Sequence, residues 1–243
     1  MWTIFRKDIS HYFSQLVAYI VVGIFILILG LLMWVFPDFS ILYFNYASLD
    51  QVFAIVPVLF SFIIPALTMR SFSEEIHSGT LEILLTKPLT ETQIVLGKFL
   101  AGLFMTLICL LPSLIYFYSV YQLGSPKGNI DTGAVTGSYI GLILLAASFV
   151  AIGIYGSVIS KNQVSAFLIS TFICFTLFYG FYYFSKLPIF FGKTDDLIQR
   201  IGMDFHYNNI SKGAIDTRDI IYFGSVIFFF LYLSIHWIKN RLF

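Results

Sequence analysis

Charge is what this 243-residue sequence has least of: Lys and Arg number 14, Asp and Glu 13, together 11% of the chain. A water-soluble domain carries roughly a quarter charged residues, so this chain cannot cover a soluble surface and is not an ordinary cytosolic enzyme. Cysteine is nearly missing too. Cys109 and Cys174 both fall in apolar runs, where a thiol packs as a small hydrophobe, so neither a disulfide framework nor a metal site follows. The catalytic signatures are absent: no Gly-x4-Gly-Lys-Ser/Thr phosphate loop, no His-Glu-x-x-His, no Gly-x-Ser-x-Gly and no Gly-x-Gly-x-x-Gly after a strand. A non-catalytic chain with no cofactor of its own and no nucleic-acid partner is expected. The alternation that a membrane barrel needs is lacking, and no Ala-x-Ala-like site follows the first apolar run, which is too long for a signal peptide.

What is present is apolar length. Hydrophobic residues make up 58% of the chain, and mean hydropathy is +0.88. Six intervals free of Asp, Glu, Lys and Arg run over 16–36, 51–69, 99–121, 138–160, 162–184 and 220–238. Each is long enough for a helix to cross a hydrocarbon core about 30 Å thick, which predicts an all-α integral membrane protein of six spans forming one domain over 1–243. Lys and Arg favour one side through Arg6, Lys7, Arg70, Lys87, Lys98, Lys161, Lys239 and Arg241, while the loop 37–50 has none. Both termini are therefore expected in the cytoplasm. Aromatics gather at the other face: Phe39, Tyr43, Phe44 and Tyr46, then Tyr116 to Tyr118 and Tyr179 to Phe184.

Ahead of the first span, Trp2, Phe5, Ile9, Tyr12, Phe13 and Leu16 recur at helical spacing with polar residues between them, predicting a helix along the cytoplasmic interface. The loop 70–98 predicts two short helices: Ser71-x-x-Glu74 has the form of a capping box, Gly79 interrupts, Thr80 can cap a second helix, and Thr90-x-x-Gln93 can cap the next span. Between Ser71 and Thr86 it carries Glu74, Glu75 and Glu82 but no Lys or Arg. A helix lying on anionic lipid would be basic, so this one either docks on a protein or is a solvated connector packed under its own bundle. The outer loop 185–219 predicts short helices starting near Thr194-Asp195-Asp196.

In the fourth span, Gly137-x-x-x-Gly141, Ala147-x-x-x-Ala151 and Gly153-x-x-x-Ser157 set small residues four apart, a pattern for close helix packing within the bundle or across a dimer. Pro57, Pro65 and Pro112 mark expected kinks. Ion-coupled carriers usually need intramembrane ionisable residues, and the spans hold none beyond His236 near an end. The energy source is then expected in another subunit.

The run from Glu74 to Leu89, EEIHSGTLEILLTKPL, with Ile94-Val95-Leu96-Gly97-Lys98, resembles the cytoplasmic loop of ABC-2 type ABC transporter permeases. Ile210 to Asp216 with Asp219 to Phe223 is similar to that family's approach to its last span, and over nearly the whole chain the likeness is greatest to gliding-motility-associated permease subunits of Bacteroidota. The resemblance implies an exporter of the cytoplasmic (inner) membrane, a permease paired with a second copy or a second membrane subunit and driven by an ABC ATPase that holds ATP and Mg. It also implies a coupling role for Glu74, Glu75, Gly79, Thr80 and Glu82. A structural anchor that moves no solute is the alternative, and an ion-coupled carrier comes third.

Overall fold

The computed structural model describes residues 1–14, 16–41, 47–86, 88–188, 192 and 194–240, and among these every regular element is helical. Of the residues singled out above, Tyr43, Phe44, Tyr46, Lys87 and Arg241 lie outside the described residues.

Five stretches are long and apolar enough to cross a bilayer: Asp50–His77, Glu91–Leu123, Thr132–Ile159, Gln163–Ser185 and Thr217–Asn240. A sixth candidate comes from α1 (Trp2–Ser14) and α2 (Leu16–Trp34), where α1 and Ala18–Trp34 are bent by 68°. That angle is what an interfacial helix turning into a span requires. Within α1, Trp2 and Phe13 are exposed, Phe5, Ile9 and Tyr12 are half-buried, and the buried residue is Ile4, set against Gly97, where an added Cβ would lie 3.0 Å from the Ile4 Cβ.

The chain continues through α3 (Asp50–Thr68), α4 (Arg70–His77), α5 (Thr80–Leu85), α6 (Glu91–Leu110), α7 (Ser113–Leu123), α8 (Thr132–Ile159) and α9 (Gln163–Phe175). A π turn over Thr176–Gly180 joins α9 to α10 (Phe181–Ser185). Two short helices, α11 (Asp195–Gln199) and α12 (Met203–Ser211), follow, and the last membrane-crossing candidate is α13 (Thr217–Asn240). Pro112 sits at the break between α6 and α7, whereas Pro57 and Pro65 lie inside α3.

Local capping explains which ends the sequence predicts correctly. Thr90 and Gln93 form the reciprocal capping box at the start of α6. The Ser71-Glu74 box does not form, because Met69 keeps helical geometry between α3 and α4 and leaves no separate helix start to cap. Thr80 lies inside α5 rather than capping it; the N-cap is Gly79, whose φ of 70° is a left-handed conformation that glycine adopts without strain. Asp131 caps α8 by accepting from the Gly133 and Ala134 N–H groups, so that helix begins before its charge-free interval.

Helix α8 is the centre of the bundle, packing against α3, α4, α6, α9, α12 and α13. Its small residues meet several partners. A Cβ on Gly137 would stand 2.4 Å from the Ile210 carbonyl oxygen of α12, one on Gly141 would meet the Tyr207 ring at 3.1 Å, and one on Gly153 would meet Thr68 Oγ1 of α3 at 2.0 Å. Ala147 and Ala151 are buried.

Helix α12 is locked to α3 by one bond with a clear sequence cause. Pro57 has no N–H, so the Phe53 carbonyl lacks its usual helical partner, and the buried Tyr207 hydroxyl donates to it at 2.8 Å. Tyr207→Phe is expected to leave that carbonyl unsatisfied, costing about 1–3 kcal/mol. A thermal melt in detergent should fall by at least a few degrees; an unchanged melt would show that the bond adds nothing.

Candidate coupling site

The loop helices α4 and α5 are held against α1 and α6 by a buried cation. Lys98 of α6 is 3% exposed; its Nζ lies 3.0 Å from Glu75 Oε1 and 3.8 Å from Asp8 Oδ2, and donates to the Ser71 carbonyl at 2.5 Å. It also sits 4.7 Å from the centroid of the Phe72 ring. Lys7 of α1 reaches the same Glu75 oxygen at 3.2 Å. Thus the stretch that has no basic residue of its own receives two, from 68 residues upstream and 23 downstream. Tyr12 adds a third tie, donating to the Leu67 carbonyl at 3.2 Å, and Arg70 Nε donates to Gln163 Oε1 at 3.1 Å at the start of α9.

A cavity of about 240 Å³ opens between α1 and the loop, lined in part by Lys7, Asp8, Tyr12, Arg70, Glu75 and Lys98. Burial pushes the Asp8 carboxyl above the usual carboxylate range, outweighing the pull of Lys98, and pushes the Tyr12 phenol up to about 12.

The five residues expected to couple divide into two groups. Glu75 is turned inward and spent on Lys98 and Lys7, with its side chain 15% exposed. Glu74, Gly79, Thr80 and Glu82 are exposed on the outer surface of the loop. On α5 protrudes Ile83, 63% exposed, two positions from the buried Leu81 and so off its face. Among the described residues the tip therefore presents the large aliphatic Ile83 together with the exposed carboxylates of Glu74 and Glu82, on a loop whose base is fixed by ion pairs. Such a surface can take up a groove in another protein.

On the opposite side, His206 of α12 is 2.6 Å from Asp219 Oδ1 and 2.9 Å from the Arg200 carbonyl, and stacks on Tyr222 at 3.9 Å. Asp219, one residue outside the last charge-free interval, is 4% exposed. This cluster ties the outer helices to the head of α13.

The sequence model of a family described as ABC-2 family transporter protein matches residues 40–208, which include α3 to α6, the central α8 and most of α12. No curated protein is significantly similar to the chain.

Proposed function

Because the chain belongs to the ABC-2 transporter family, and so is a permease subunit of an ABC exporter, we propose that a separate cytoplasmic ATPase seats itself on the tip formed by α4 and α5. The observation that carries this reading is the division within the loop: Glu75 is consumed in fixing the base, while Glu74, Glu82 and Ile83 face outward. ATP and Mg would be held by that partner, and this chain would do no chemistry. Closure of the motor would push on α4. Through Glu75 and Lys98 the push reaches α1 and α6 together, so the loop, the N-terminal helix and the third span move as one body. The outer helices α11 and α12 would gate release.

The working unit would be two membrane subunits, either two copies of this chain or this chain with a second permease, in the inner membrane with both termini cytoplasmic. The likeness to gliding-motility permeases supports a place in that machinery. Glu74→Lys combined with Glu82→Lys tests the docking. Complexes from gently solubilised membranes should lose the ATPase, with affinity down at least roughly tenfold, as expected when hot-spot contacts at an interface are reversed. Retention of the ATPase by the double variant would overturn the assignment of the tip. Normal gliding with a hydrolysis-dead motor would favour the structural anchor instead, and gradient-driven flux through this chain alone would favour the carrier.

A further inference from the structure

The loop must hand its motion to the rest of the bundle, and one hydroxyl spans the place where it would do so. Ser157 of α8 is fully buried. Its Oγ accepts from the Phe72 N–H at 2.8 Å and the Ser73 N–H at 3.0 Å, and donates to the Met69 carbonyl at 3.0 Å. One donor and two acceptor positions are the whole capacity of a serine side chain, and all three are used. The three backbone groups straddle the junction of α3 and α4: Met69 is the junction residue itself, while Phe72 and Ser73 belong to the loop helix. Ser73 Oγ also donates to the Met69 carbonyl, at 2.5 Å, so that oxygen receives two hydroxyls.

The approach depends on the residue one turn earlier on α8. Gly153 brings α8 so close to Thr68 that no side chain fits between them, which lets the short serine reach the α3–α4 backbone. A side chain inserted into the i→i−4 ladder is a standard cause of a helix break, and here the inserted group belongs to the central helix. The Gly153-x-x-x-Ser157 pattern is thus more than a packing face.

We propose that Ser157 is the positioning residue that transmits displacement of the α4–α5 loop to α8, and through α8 to the outer helix α12. This rests on the reading of the loop as the ATPase dock. When α4 is pushed, either α8 follows or three directional hydrogen bonds break. α8 packs on α12 through Gly137 and Gly141, so a shift at its inner end reaches the outer side without a further joint.

The test uses the complete complex with its ATPase in nanodiscs. An environment-sensitive fluorophore is placed at Thr86→Cys on the loop or at Thr136→Cys on the outer part of α8, both exposed, while the native Cys109 and Cys174 are buried. With wild-type Ser157, ATP should change both signals. In Ser157→Ala the loop signal should persist and the outer signal fall roughly two- to thirtyfold, the range by which residues on a coupling path alter coupling. Ser157→Cys, with a weaker donor and acceptor, should fall between. Ser234→Ala removes another buried hydroxyl, one on α13 that donates to the Phe230 carbonyl of its own helix, and should leave both signals intact. If the outer signal survives in Ser157→Ala while ATPase binding persists, the assignment to Ser157 is overturned. If Ser157→Cys loses both signals together, the serine merely holds the fold and the assignment also fails. If no ATPase binds the unaltered protein, the reading of the loop falls, and the inference with it.

Discussion

Lys98→Met is expected to be the most damaging single substitution around the α4–α5 loop. Deleting one partner of a buried ion pair costs about 3–5 kcal/mol, because Asp8 loses its buried cation and Glu75 keeps only the largely exposed Lys7. That is a large share of a stability of about 5–15 kcal/mol, so little folded protein should be recovered. Asp8→Asn should differ sharply. The Asp8 carboxyl is raised by burial, so it holds its proton more tightly folded than unfolded, and ionising it opposes folding. Its contribution is full below the unfolded value and is lost as pH rises through the raised folded one, so at neutral pH Asp8→Asn should be tolerated. For the same reason mild acid should partly restore Lys98→Met. Thermal melts of the two variants at pH 5 and pH 7 check this; a Lys98→Met protein as stable as wild type at pH 7 would remove the buried cation from the account.

Gly137→Ala should be the most damaging change in the central helix, and the glycines of α8 should rank by what each Cβ would strike. At Gly137 the obstacle is backbone, with the Ile210 carbonyl oxygen at 2.4 Å and the Gly213 Cα at 3.0 Å, so α12 itself must move. Overpacking costs about 1–3 kcal/mol and more where backbone is displaced. At Gly153 the obstacle is the Thr68 side chain, held by its bond to the Ile64 carbonyl at 2.8 Å; Gly153→Ala should cost less and be relieved by Thr68→Ala. Gly141 faces only side chains, the Tyr207 ring at 3.1 Å and the Ile210 Cγ2 at 3.4 Å, and should tolerate alanine best. A series of melts fixes the order, and the ranking is wrong if Gly141→Ala proves worse than Gly137→Ala.

Gaps between charges locate the spans because backbone satisfaction and lipid solvation act over about 20 residues at once. They misplace the ends for the same reason. Lys98 and Asp219 read as boundary markers, yet both are buried, since Lys98 meets the carboxylates of Glu75 and Asp8 and Asp219 meets the His206 imidazole, each brought up by another element. Caps are legible where the chain starts a helix afresh, as at Thr90, and misleading where a helix runs on, as at Ser71. In the loop of α4 and α5 the acidic bias is plain in the sequence. Which glutamate faces outward is not, because the answer lies in Lys7 and Lys98, remote in the chain. Ser157 is harder still: it reads as a small residue, and only the turn of α3 into α4 beneath it gives the hydroxyl its partners.

The bond between Tyr207 and Phe53 also bears on how the protein is made. Pro57 strips the Phe53 carbonyl of a partner within its own helix, and the replacement hydroxyl lies 154 residues further along the chain. During synthesis the second span is complete long before Tyr207 emerges, so it must carry an open acceptor through the insertion of three more helices. Only when α12 folds back between α3 and α8 is that acceptor closed. Assembly of the membrane domain is then a late step, sealed at the end of the bundle opposite the α4–α5 loop, and a chain halted before residue 207 should remain a set of inserted but loosely associated helices.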